Sequence, residues 1–84
     1  MIAMQCYVYR STRRADTYIY LAAKDDFDQV PDGLRKVFGE PEFALEFELT
    51  PDRRLAQEDP QQVYNNLKNQ GFHLQMPSEN EQAL

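Results

Sequence analysis

Eighty-four residues and 9.9 kDa leave room for one small domain, and a net charge of −5 weighs against a general nucleic-acid binder, which needs an excess of cations. Five Tyr and five Phe supply more core than a disordered tail carries, and no apolar run approaches the roughly 20 residues of a membrane-spanning helix. The single cysteine, Cys6, excludes an intramolecular disulfide, and the N-terminus lacks the pattern of a signal peptide, so a soluble protein of a reducing cytoplasm, with no membrane partner, is expected.

The run Ile2 to Tyr9 is rich in strand formers, as is Thr17 to Ala22, and the polar stretch Arg10 to Asp16 between them predicts a hairpin. Pairing Tyr9 with Tyr18, Val8 with Ile19 and Tyr7 with Tyr20 sorts the side chains into a tyrosine face and an aliphatic face. A slip of one residue would mix them. Neither face is strongly polar at the strand centres, which predicts a hairpin central in its sheet and covered on both sides.

Val30, Leu34, Val37 and Phe38 recur at helical spacing, with Pro31 suited to the start and Gly39 to the stop. Asp32 in the first turn and Arg35 and Lys36 toward the end complement the helix dipole. Asp25 or Asp26 is expected to cap a short turn around Phe27. Glu42 to Leu49 then alternates: Phe43, Leu45, Phe47 and Leu49 point one way and Glu42, Glu46 and Glu48 the other, the pattern of a half-buried strand. Arg53 to Glu58 reads as irregular, anchored by Leu55.

Asp59 as N-cap, Pro60 at the first helical position and Gly71 as the stop define the clearest helix, with Val63, Tyr64 and Leu67 on its apolar stripe. Phe72 to Met76 predicts a last strand, with His73 on its polar phase, and Pro77 ends it. The order is ββαβαβ: a single α+β domain over residues 1–77, with four strands in one sheet and helices packed on it, followed by a flexible tail over residues 78–84. The connection from the third strand to the fourth is long enough for a crossover, so a mixed sheet is expected, with helices able to lie on opposite sides.

Catalytic motifs are sparse. The three glycines are isolated and form no phosphate loop, and one Cys with one His cannot make a zinc pattern. Asp25, Asp26 and Asp28 lack the spacing of a calcium loop and read as a solvated run. Cys6 and His73 form a weak nucleophile–base pairing, because Cys6 falls among apolar strand neighbours where thiols are inert. Glu46 and Glu48 are better read as strand surface than as a glycosidase pair. No cofactor, no metal and no enzymatic activity are expected.

Charge is unevenly spread. Residues 1–24 hold Arg10, Arg13, Arg14 and Lys24 against Asp16 alone, whereas residues 25–50 hold eight acids against Arg35 and Lys36. Arg10, Arg13, Arg14 and Lys24 are therefore the candidate binding face of a non-catalytic interaction module with an acidic protein partner. The alternative is an RNA-binding accessory factor that uses the same arginines with Tyr7, Tyr9, Tyr18 and Tyr20 as stacking platforms. It requires those rings to be uncovered.

The strings Cys6-x-Val8-Tyr9-Arg10-Ser11, Thr17-Tyr18-x-Tyr20, Val30-Pro31-x-x-Leu34, Phe38-Gly39, Leu49-x-Pro51-x-Arg53-x-Leu55-Ala56-x-x-Asp59 and Gln70-Gly71-Phe72-x-Leu74-Gln75-Met76-Pro77 resemble the YcgL domain family of gammaproteobacteria. The resemblance covers about residues 4–77, and the closing string is its most specific part. It implies a small cytoplasmic bacterial protein with an α/β/α sandwich-type domain, and it brings no accepted activity and no agreed catalytic residues. Members of the family often run further past the final proline.

Overall fold

A computed structural model describes residues 3–50, 55 and 58–77. The elements follow the expected order: β1 (Met4–Ser11), β2 (Tyr18–Leu21), α1 (Asp32–Phe38), β3 (Pro41–Leu49), α2 (Pro60–Gln70) and β4 (Phe72–Gln75). The residues assigned to a flexible tail, 78–84, lie outside the described residues, as do Arg53, Arg54, Ala56 and Gln57 of the irregular segment. Leu55 is described, and it packs half-buried against the core as an anchor.

The sheet runs β3-β1-β2-β4, and every neighbouring pair is antiparallel. The mixed sheet expected from the long β3–β4 connection does not form. That connection carries the chain across the sheet from one edge to the other, so β4 pairs with β2 and never with β3. The hairpin is central, as its two apolar faces require, and each face holds its own core. Cys6, Val8, Tyr20 and Leu49 pack with Val63 and Leu67 of α2 on one side. Tyr9, Ile19 and Leu21 pack with Val30 and with Phe38 of α1 on the other.

The hairpin register is one residue away from the expected one: Tyr9 pairs with Ile19, Val8 with Tyr20 and Arg10 with Tyr18. Sorting side chains into two kinds is unnecessary where both faces are covered, so the turn sets the register instead. The Ser11 amide donates to the Thr17 carbonyl at 2.9 Å, the Ser11 hydroxyl accepts from the amides of Arg13 and Arg14, and Thr17 Oγ1 donates to the Ala15 carbonyl. The tyrosines are thereby split, Tyr7 and Tyr9 facing α1 and Tyr18 and Tyr20 facing α2.

β3 also departs from simple alternation. Val8 pairs with Leu45 and Tyr9 with Phe43, which leaves Ala44 as the extra residue of a bulge. Phe43 is turned to the α1 side, against Tyr9, while Leu45, Phe47 and Leu49 stay on the α2 side. Glu42 is correspondingly separated from Glu46 and Glu48. It joins Arg10 in an ion pair, and Glu46 accepts from Gln5 Nε2 at 2.9 Å.

The helices start and stop where their caps dictate. Asp59 accepts from the Gln61 amide at 3.0 Å, a cap worth about 1 kcal/mol, and Gly71 closes α2 at φ 85° in the left-handed region. Val63 and Leu67 are the buried pair of α2, each contributing about 1.5–3 kcal/mol by leaving water. In α1 only Phe38 is fully buried and Leu34 is half-buried. Val37, expected on the same stripe, is 46% exposed because it lies about 100° round the helix from Phe38. α1 has only seven residues, so it covers its face of the sheet incompletely.

Candidate functional site

The four expected cations separate into three environments. Arg10 is engaged by Glu42, and that partner raises its already high pKa. Lys24 lies on the α1 side with Nζ 5.3 Å from the centre of the Phe43 ring, a cation–π placement. Only Arg13 and Arg14 stay together, and the fold adds to them two residues that the sequence assigned merely to the helix dipole, Arg35 and Lys36.

The joint between the β1–β2 turn and the end of α1 builds this grouping. Ser11 Oγ donates to the Phe38 carbonyl at 2.6 Å, satisfying one of the orphan acceptors at the helix terminus. Thr12 Oγ1 donates to the Glu40 carbonyl at 2.9 Å. Between these two anchors sits Gly39, with φ 79° and ψ −158°, a conformation that is essentially restricted to glycine. A β-carbon there would lie 2.5 Å from Cγ of Arg13, so the missing side chain lets the Arg13 stem lie on the backbone. Phe38, Gly39 and Glu40, at and just past the end of α1, thus meet Ser11, Arg13 and Thr12 at the end of β1 and the start of the turn.

The result is a groove of about 440 Å³ with an apolar floor of Ile19, Phe27 and Phe38 and a rim that includes Arg13, Arg35, Lys36 and Glu40. A second, shallower depression of about 490 Å³ adjoins it, lined by Arg13, Arg14, Lys36 and Val37. Among the described residues, none of Arg13, Arg14, Arg35 and Lys36 has an ion-pair partner. Ser11 and Gly39, which position the groove, were legible only as part of the polar stretch between the strands and as a helix stop.

The remaining candidates are drawn into the core. His73 lies on the strand phase opposite Phe72 and Leu74, as its position dictates, but that side is not wet: α2 covers it and His73 is 6% exposed. Its Nδ1 meets Asn66 Nδ2 at 2.9 Å and its Nε2 meets Glu58 Oε1 at 2.5 Å. With the Asn66 amide donating to Nδ1, Nε2–H donates a hydrogen bond to Glu58 Oε1. Tyr20 stacks edge-on to the imidazole and donates its hydroxyl to Gln75. Burial pushes the Tyr20 phenol up to about 12, and the nearby Glu58 carboxylate adds to the shift.

Cys6 is fully buried, and desolvation raises its thiol to about 12. Tyr9 is buried with its hydroxyl donating to Asp25 Oδ1 at 2.8 Å and accepting from the Asp25 amide, and its pKa is raised by burial first and by the Asp25 bond second. The anticipated Asp cap is present at Asp26, whose Oδ1 accepts from the Asp28 amide. With two rings buried, two half-buried and the four divided between opposite faces, no tyrosine platform forms. Among the described residues no three His, Cys, Asp or Glu side chains gather where they could hold a metal ion, and no helix is long and apolar enough to cross a membrane.

This architecture defines a class: a small α+β domain with an antiparallel four-stranded sheet between two helices. The family model of the YcgL domain matches residues 6–78, and the chain belongs to that family. It is 64% identical over 81 residues to a YcgL domain-containing protein of Thioalkalivibrio sulfidiphilus, covering 96% of this chain and 100% of that one. It is 48% identical over 79 residues to one of Azotobacter vinelandii, covering 94% of this chain and 81% of the relative. A Proteus mirabilis relative is 46% identical over 81 residues, covering 96% and 84%. The names of these relatives state the domain and neither a ligand nor a reaction.

Proposed function

We propose that the chain is a non-catalytic, cytoplasmic protein-interaction module that receives an acidic segment of a partner protein between the β1–β2 turn and the end of α1. One observation carries the reading. On a chain of net charge −5, four cations line two adjoining depressions, and none of the four forms an ion pair among the described residues, Glu40 being the one carboxylate that lines the groove beside them. Carboxylates entering such a surface are attracted at long range and oriented at short range. The hydrogen bonds from Ser11 and Thr12 to the carbonyls of Phe38 and Glu40 tie together the backbone segments that carry the cations before binding, which lowers the ordering cost of association. The non-catalytic part of the reading is supported by the two chemically versatile side chains. The Cys6 thiol is raised far from the thiolate, and both ring nitrogens of His73 are engaged.

Fluorescence anisotropy with a labelled glutamate-rich peptide, and in parallel with a single-stranded RNA oligonucleotide, tests the proposal. The peptide is expected to bind at low salt and to weaken as salt screens the groove. The double variant Arg13→Glu/Arg14→Glu is expected to lose this binding, whereas Arg10→Ala, which only releases Glu42, keeps it. RNA binding lost in the same double variant, with no peptide binding, would make the partner a nucleic acid. Binding of neither probe at low salt would overturn the proposal.

A further inference from the structure

Beside the cationic depressions lies a third cavity of different character. It holds about 220 Å³ and is lined by Leu34, Val37 and Phe38 of α1, Leu74 and Met76 of β4 and the residues after it, and Arg14 and Thr17 of the β1–β2 connection. It exists because α1 is two turns long: the helix ends before it can cover the corner where β2 and β4 meet. Val37 and Met76 form its exposed lips, 46% and 48% accessible. Arg14 and Val37 line both this cavity and the shallow cationic depression, so the apolar and the charged surfaces are continuous.

Resting on the acidic-partner reading, we infer that the partner segment carries one aliphatic or aromatic side chain that enters the cavity between α1 and β4 while its flanking carboxylates face Arg13, Arg14 and Lys36. The charge around the cavity selects the occupant. A basic segment would be repelled at Arg14, the shared edge, and a purely acidic one would leave the apolar lining wet. An anchor residue with acidic neighbours satisfies both surfaces at once. Met76 suits the role of lip, because its unbranched thioether adapts to anchors of different shape. The arrangement predicts tolerance among Leu, Ile, Met and Phe at the anchor and intolerance of polar residues. It divides the work between the surfaces: charge orients the segment, and the anchor holds it.

Short peptides of glutamate and serine with one varied central position test the inference on the full chain. Peptides with Leu, Met or Phe at that position are expected to bind roughly tenfold more tightly than the Ser peptide, the return for burying one such side chain incompletely. Met76→Ser, at the lip that lies outside both cationic depressions, is expected to remove the preference while leaving the Ser peptide's affinity unchanged. Met76→Trp, which fills the cavity from that lip, is expected to do the same by the opposite change in polarity. Circular dichroism of both variants should match the parent, since Met76 is half exposed. Equal binding of all the peptides would overturn the inference and leave the acidic-partner reading standing. Binding of none would overturn both. Self-association of the chain that Met76→Ser abolishes, seen by sedimentation, would assign the cavity to a second copy and overturn the inference.

Discussion

The two faces of the central hairpin carry similar strand residues and have opposite fates. On the α2 face the helix has eleven residues, a side-chain N-cap and a glycine stop, and it seals Cys6, Val8, Tyr20 and Leu49 beneath Val63 and Leu67. The polar groups trapped there are partnered: His73 bridges Asn66 and Glu58, and Tyr20 reaches Gln75. On the α1 face a seven-residue helix buries Phe38, half-buries Leu34, and leaves grooves at its end and along its β4 side. Among the described residues helix length separates the two: α2 is about four residues, roughly 6 Å, longer than α1 and closes the centre of its face, leaving only Leu45 at the β3 edge half exposed among the large apolar side chains on that side. The closed face holds the fold together, and the open one carries the grooves to which the proposed function is assigned.

Substitutions should divide along the same line. Leu67→Ala, beneath α2, is expected to cost about 2–5 kcal/mol. Val37→Ala, on the outer side of α1, is expected to stay within about 0.5 kcal/mol. Urea unfolding of the pair checks the contrast, and equal losses would erase the distinction between the faces.

Alkali should attack the closed face first. Cys6 ordinarily titrates near 9.0 and Tyr20 near 10.0, and burial raises both to about 12 in the fold. The folded state therefore holds these protons more tightly than the unfolded chain does. Their contribution is fully present below pH 9 and is lost as pH rises from about 9 to about 12. Urea midpoints measured across that range should fall steadily. In Cys6→Ala the fall should begin nearer pH 10, where Tyr20 and Tyr9, both raised by burial, remain to ionise.

His73→Ala removes the partner of both Glu58 and Asn66 and is expected to cost about 1–3 kcal/mol. Gly39→Ala, at the joint of the open face, should cost a similar 1–3 kcal/mol from backbone strain. The two differ in their second readout. Gly39→Ala displaces the Arg13 stem and should weaken acidic-peptide binding, while His73→Ala, measured where it is still folded, should not. Arg14→Ala, like Val37→Ala, is expected to stay within about 0.5 kcal/mol, because no ion pair among the described residues is lost.

Much of the fold was legible because it rests on local signals. Asp59-Pro60 and Gly71 mark α2 to the residue, and the apolar character of both hairpin faces foretells a central position covered on both sides. The hairpin register was misread because it was argued from side-chain type, whereas the Ser11 and Thr17 hydrogen bonds in the turn decide it. The turn of Phe43 to the α1 side depends on the bulge at Ala44, which no residue of β3 announces. His73 was placed on the correct strand phase but in the wrong medium, since alternation gives a side chain's direction and not what covers it.

The candidate site was half legible. Arg13 and Arg14 stand out as a local excess of charge in the sequence. Arg35 and Lys36 join them only because Ser11 and Thr12 bind the carbonyls of Phe38 and Glu40, more than twenty residues away. Arg10 and Lys24 were grouped with the first pair by proximity in sequence and are drawn off by Glu42 and Phe43.

The most direct test follows the backbone amide resonances of the labelled full chain during titration with a glutamate peptide bearing a central leucine. The account predicts shifts confined to residues 11–14, 34–40 and 74–76, with Val63, Leu67 and the rest of α2 unmoved. Shifts centred on α2, or none at peptide concentrations that saturate the anisotropy signal, would contradict it.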